Sequence, residues 1–195
     1  MLALTNFAEA KIIYTPAHRV IGARHSHSLD LNHDGIIDFK IANSVSACTD
    51  FCFFELRQRP AEGNSGVGYV LGSGVLVDSA LKRGARIGPR SPFMEGTAAM
   101  AAARSNVYTS SQTMVYGPWF NVKQRYLGLR FQIKGKTHYG WALLNVKVSS
   151  TTITATLSGY AYETIPNKAI AAGKTRGHDV AKQPATLGGL ALGRR

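Results

Sequence analysis

Asp30, Asn32, Asp34 and Asp38 fall in the run Leu29-Asp-Leu-Asn-His-Asp-Gly-Ile-Ile-Asp-Phe39, which spaces them as D-x-N-x-D-G-x-x-D. A hard cation such as calcium takes about six to eight oxygens at short range. Side-chain oxygens at alternate positions meet at one point if the chain turns sharply. Gly35 permits that turn because it has no Cβ to clash at positive φ. The Ile36 carbonyl would add a backbone oxygen, and Asp38 would bind directly or through water. The expected metal ligands are therefore Asp30, Asn32, Asp34, Ile36 and Asp38, and the expected ion is calcium. Only the first part of an EF-hand loop is present, because Ile41 stands where such a loop places its bidentate Glu. The competing reading is a plain turn, since Asp, Asn and Gly are ordinary turn residues.

The residues flanking this run alternate as strands do, with Leu29 and Leu31 before it and Ile37, Phe39 and Ile41 after it. The loop is thus expected to join two β-strands, Ser26–Leu31 and Ile36–Ala42. Further strands are expected at Lys11–Tyr14, stopped by Pro16, and at Cys52–Gln58. Tyr69–Val77 reads as one strand bent around Gly72 and Gly74. The strongest pattern lies later. Leu127, Leu129, Phe131 and Ile133 fall on one face of Tyr126–Ile133. Lys134-Gly135-Lys136 is a turn, and Thr137–Val148 and Thr152–Glu163 complete an antiparallel meander. Such alternation gives one buried and one wet face. Glu95–Arg104 is rich in helix formers and reads as one short helix. Lys82–Pro92, basic and rich in Gly and Pro, reads as a surface loop. The expected class is all-β, an antiparallel β-sandwich with a short helical or irregular insertion.

The chain has 195 residues and a formal net charge of +12, enough for one domain with a real core and a preference for acidic partners. The cations are scattered in sequence, and no helix-turn-helix, zinc-finger or RNP-type pattern is present, so no specific nucleic-acid recognition is expected. No run of eighteen or more apolar residues exists, so no membrane span is expected. The two cysteines, Cys48 and Cys52, lack both the ligand number of a zinc site and the C-x-x-C redox spacing. They could form one local disulfide if the chain turns through Thr49–Phe51.

Catalytic signals are sparse. His25 and His27 would share a face of a strand, but no third ligand accompanies them. His138, Tyr139 and Trp141 read as core, Trp141 packing between sheets, and Gly117-Pro-Trp-Phe120 reads as a turn plus core. A glycosidase needs two carboxylates facing one bond, and Glu55 and Glu163 are the best-placed pair for that rival reading. No G-x-S-x-G, H-E-x-x-H or Walker A motif occurs.

The chain ends also carry information. Ala8-Glu9-Ala10 is similar to the small-x-small end of a secretory signal peptide, so residues 1–10 read as its remnant. Residues 166–195 are basic and read as a loosely ordered tail after a domain of residues 11–165. The blocks Arg125-Tyr-Leu-Gly-Leu-Arg-Phe131, His138-Tyr-Gly-Trp-Ala142, Tyr160-Ala-Tyr-Glu-Thr164 and Ala169-Ile-Ala-Ala-Gly173, together with the Asp-rich loop, resemble uncharacterised exported bacterial proteins of the PEP-CTERM surface type. The likeness runs over roughly residues 11–173 and implies export but no defined activity. The terminal Gln183–Arg195 departs from the sorting pattern, because the apolar segment between its Pro-containing start and its basic end is missing or drastically shortened. The expectation is an exported, non-catalytic cell-surface or matrix protein that binds anionic polysaccharide or cell envelope. The alternative is a secreted carbohydrate-active hydrolase.

Overall fold

The computed structural model describes residues 11–46, 48–109, 111–149 and 151–176. Its strands are β1 (Ile12–Ile21), β2 (Ser26–Leu29), β3 (Phe39–Val45), β4 (Phe51–Pro60), β5 (Ser65–Val70), β6 (Leu76–Asp78), β7 (Arg86–Ile87), β8 (Phe93–Glu95), β9 (Ala98–Asn106), β10 (Gln112–Tyr116), β11 (Val122–Ile133), β12 (Lys136–Val148), β13 (Ile153–Glu163) and β14 (Ile170–Ala171). Among the described residues no helix is long and apolar enough to cross a membrane.

Twelve strands form one sheet in the order β1-β13-β12-β11-β5-β6-β9-β4-β3-β2, with β10 beside β9 and β8 beside β5. The one parallel contact in it joins β6 to β9 at Val77 and Ala99. The sheet turns its corner at β5. Ser65–Val67 pairs with β11 and β8, whereas Gly68–Val70 pairs with β6. The class is all-β, as the alternation implies. Its two layers belong to one sheet that nearly closes into a barrel, and the last gap lies between β1 and β2. β1 pairs with β13 and β2 with β3, while a tight turn at Gly22–His25 joins the two edges.

The inner faces of both layers make the main core. Phe39, Ile41 and Leu56 from one layer meet Leu127, Leu129, Phe131, Ile153, Ala155 and Leu157 from the other. Each large side chain buried there contributes roughly 1.5–3 kcal/mol. The outer face of β11–β13 is not wet as expected. Tyr126, Tyr139, Trp141 and Ala161 pack there against Ile87 of β7 and Ile170 of β14, and β7 and β14 pair as a small separate sheet. Trp141 is buried, and its Nε1 donates to the Lys174 carbonyl at 3.2 Å. The domain therefore continues past Ile165, and part of the segment read as tail is a lid on this second core. The proposed remnant at residues 1–10 and the end at Gln183–Arg195 lie outside the described residues.

The expected helix at Glu95–Arg104 is the strand β9. Ala98–Ala103 is buried at every position, so both faces are covered and the small side chains let neighbouring layers approach. Packing there overrides the helix preference of alanine. Tyr69–Val77 is a hairpin, not one bent strand, because Leu71 N donates to Val75 O at 2.9 Å and Gly74 takes φ 81°. Pro16 does not stop β1. An edge strand tolerates a residue that has no N–H to give.

Asp78 is fully buried beside that corner, and neither of its carboxyl oxygens has a hydrogen-bond partner. Gln58, also fully buried, has an unpartnered amide. A Cβ on Gly66 would collide with Asp78 Oδ1 and lie 3.3 Å from Gln58 Oε1, so the missing side chain leaves room for the carboxyl. Burial holds the Asp78 carboxyl well above its usual range. The folded protein keeps this proton to higher pH than the unfolded chain, so the stability it contributes is full below the ordinary value of 3.8 and is lost as pH rises. Asp78→Asn should remove that loss. Its Tm should exceed that of the wild type at pH 8, with the gap closing towards pH 4. A lower Tm for the variant at every pH would sink this account.

Candidate functional site

The Asp-rich loop leaves β2 at Leu29 and enters β3 at Phe39, which pair with each other. Asp30 accepts Asp34 N at 3.3 Å and Gly35 N at 2.8 Å. Asp34 accepts Ile36 N at 2.9 Å and the Asn32 amide at 2.8 Å. Asp38 accepts Leu31 N at 2.8 Å and the Asn64 amide at 3.4 Å. Every oxygen of the three carboxylates therefore holds a donor, and Gly35 takes the expected positive φ, at 87°. Asn32 Oδ1 is buried and has no partner.

The expected ligands are brought into one loop, but as it stands they serve the loop's own backbone. Among the described residues no group of three or more His, Cys, Asp or Glu is placed to hold a metal ion. The electrostatics still record crowding. Asp38 is pushed up to about 6 by burial first, and further by the charges of Asp30 and Asp34. Asp34 is held below its usual range by the Asn32 amide and the Ile36 N–H. His33 reaches across the gap to β1 and β13, with Nε2 at 2.9 Å from Thr15 Oγ1 and its ring 6.0 Å from that of Tyr160.

Asp30 and His33 also form part of a cleft in the gap between β1 and β2. It measures about 580 Å³, and Thr15, His18, Arg19 and His27 contribute to its walls. The pairing of β1 with β13 slips between Pro16 and Arg19. Such a bulge re-aims side chains, here His18 and Arg19. His27 is half-buried, and its imidazole is held below the usual value by burial and then by the Arg19 charge. His25 does not join it; its Nδ1 lies 2.9 Å from the Ala23 carbonyl. Sequence reading missed His18, because the bulge that brings it to the cleft leaves no mark in the alternation.

A second cleft, of about 340 Å³, lies where β14 meets β7 and β1. Arg86, Lys168 and Lys174 line it, with Glu163 and Ile12. Glu163 is buried, accepts Ile165 N at 3.2 Å and pairs with Lys168 at 3.4 Å. The β7–β14 pairing thus joins two basic segments far apart in sequence, Lys82–Arg90 and Lys168–Lys174. Exposed Lys82, Arg83 and Arg90 extend the positive surface.

The remaining candidates are structural. His138 is buried, with Nδ1 at 2.9 Å from the Glu163 carbonyl. Trp119 is buried and donates to the Asp78 carbonyl at 2.9 Å. Cys48 and Cys52 form the disulfide, with Cα atoms 4.6 Å apart, Cys48 ahead of β4 and Cys52 within it. Glu55 pairs with Arg57 in the middle of β4, whereas Glu163 ends β13 beside Ile12, and the two share no partner. No protein-family model matches the chain, and no curated protein or solved structure matches it.

The raised Asp38 has a measurable consequence. Its folded-state proton persists to about pH 6 against an ordinary 3.8, so its contribution to stability is full below the ordinary value and is lost as pH rises through the folded one. Asp38→Asn should flatten the fall in Tm between pH 4 and pH 7 in metal-free buffer. An unchanged slope would show that Asp38 titrates normally.

Proposed function

We propose that the protein is an exported, non-catalytic binding module of the cell surface or extracellular matrix, and that it holds anionic polysaccharide. The observation that carries this reading is the basic cleft, where Arg86, Lys168 and Lys174 surround one buried carboxylate. Among the described residues neither Arg86 nor Lys174 forms an ion pair. Cations gathered in excess of their one counter-charge attract an acidic polymer, and salt screens that attraction. The Cys48–Cys52 disulfide accords with an oxidising compartment outside the cytosol, as does the resemblance to exported surface proteins.

The Asp30–Asp38 loop completes the reading as a calcium-responsive staple. The donor set suits a hard cation, and each carboxylate oxygen keeps a second lone pair for it. Asn32 Oδ1 is a buried acceptor with no donor. Asp30, Asn32, Asp34 and Asp38 would hold the ion, with the Ile36 carbonyl. Calcium would supply the positive charge that lets the crowded carboxylates stay ionised. That would hold the β2–β3 hairpin closed outside the cell.

Two measurements test this. Oligomers of galacturonic acid should bind the full chain in low salt and be released as sodium chloride is added. Arg86→Glu with Lys174→Glu should weaken binding on the order of tenfold, equivalent to about 1.4 kcal/mol. Salt-insensitive binding, or binding that ignores both reversals, would refute the polysaccharide reading. Calcium at about a hundred times its Kd should add about 2.7 kcal/mol and raise Tm by several degrees, and Asp34→Ala should lose that rise. A folded wild type whose Tm is the same in calcium and in EDTA would reduce the loop to a turn.

A further inference from the structure

The two clefts lie along one edge strand. The basic cleft reaches β1 at Ile12, and the seam cleft begins on it at Thr15. Three residues of strand span about 10 Å. Tyr14 stands between them and is 39% exposed. Its ring lies over Gly159, where a Cβ would meet the phenol at 2.6 Å, and it packs 5.9 Å from the ring of Trp141. That contact places Tyr14 on the outer face of the sheet, with Ile12 and the small sheet, whereas Ile13 and Ala17 face the main core.

This edge is poorly suited to accepting another strand. Pro16 has no N–H, and the slip between Pro16 and Arg19 breaks the ladder, two devices that guard open edges. What remains is an exposed ring on the outer face, with the basic cleft on one side of it and, across the edge, Arg19 of the seam cleft beside Asp30. A sugar chain fits that pattern, because its rings stack on aromatic faces and its acidic groups seek charge-assisted hydrogen bonds.

We propose that β1 is the spine of one continuous track for an extended acidic glycan, which deepens and rests on the polysaccharide reading above. One acidic residue sits in the basic cleft on Arg86, Lys168 and Lys174. A sugar ring lies on Tyr14, and a further acidic residue enters the seam cleft on His18, Arg19, His27 and His33. The groups facing the seam cleft are His18 and Arg19 from β1, His27 from β2, Asp30 and His33 from the loop, and the Tyr160 hydroxyl from β13.

The test uses the full chain and oligomers of galacturonic acid from dimer to decamer, with affinities from calorimetry. Affinity should climb at least tenfold with length and level off once both clefts are spanned. His18→Ala with Arg19→Ala should reduce decamer affinity to that of the dimer, in a protein whose melting curve shows it folded. Tyr14→Ala should weaken the decamer more than the dimer. Length-independent binding, or a double variant that holds the decamer as tightly as the wild type, would overturn the track and leave the polysaccharide reading standing. Failure of every acidic oligomer to bind the folded wild type would overturn both. Poly-aspartate bound as tightly as the decamer would replace the glycan track with simple charge attraction.

Discussion

β5 changes partners at Val67, giving its first residues to β11 and its last to β6, and the rest of the architecture follows from that change. A strand can serve two layers only if other chains pack closely around its bend, and Gly66 and Gly68 provide that closeness. At Gly66 the space goes to the Asp78 carboxyl, and at Gly68 to the backbone of Val77. A carboxyl taken wholly out of water without a cationic partner is tolerated by keeping its proton. The corner thus carries a neutral acid as packing material, and Trp119 clamps the same residue through its carbonyl. Because the corner makes one sheet of two layers, its outer strands β1 and β2 are brought beside each other, and the seam cleft lies between them.

How much of this could be read from sequence depends on whether a feature is local. The Asp30–Asp38 turn and the meander from β11 to β13 were legible, because ligand spacing and period-two alternation are written in neighbouring residues. The hidden features depend on distant partners. Ala98–Ala103 looks like a helix until both its faces are covered. β7 and β14 are two residues each, too short to carry a pattern, yet their pairing gathers the basic residues that seemed scattered. Asp78 owes its burial to distant partners, and its sequence neighbours carry no mark of it. His18 gains its position from a bulge that only the pairing with β13 defines.

Charge and burial are organised together on this surface. The cover over Trp141, Tyr126 and Tyr139 comes from segments whose apolar residues, Ile87 and Ile170, point inward between cationic ones. Covering the second core therefore also displays the positive charge, so fold stability and the basic surface draw on the same small sheet. The Asp-rich loop has the opposite character. It concentrates negative charge and spends its oxygens on holding its own shape, and Asp30 is where that negative character borders the seam cleft.

The pairing of Ile12 with Glu163 sets how the molecule would carry tension. β1 enters the sheet where β13 leaves it, so a pull drawn out through both neighbouring segments opens their ladder like a zipper, one rung after another. A sheared pair of strands resists with all its rungs at once, but here each bond meets the load alone. Lys11 O and Thr164 N, 3.0 Å apart, form the first rung, and the interlocked outer cover of β14 must slip before the load travels further. Set in a stretched matrix, such a module would yield gradually and re-form when slack returned, a compliant link where other sheets are rigid ones.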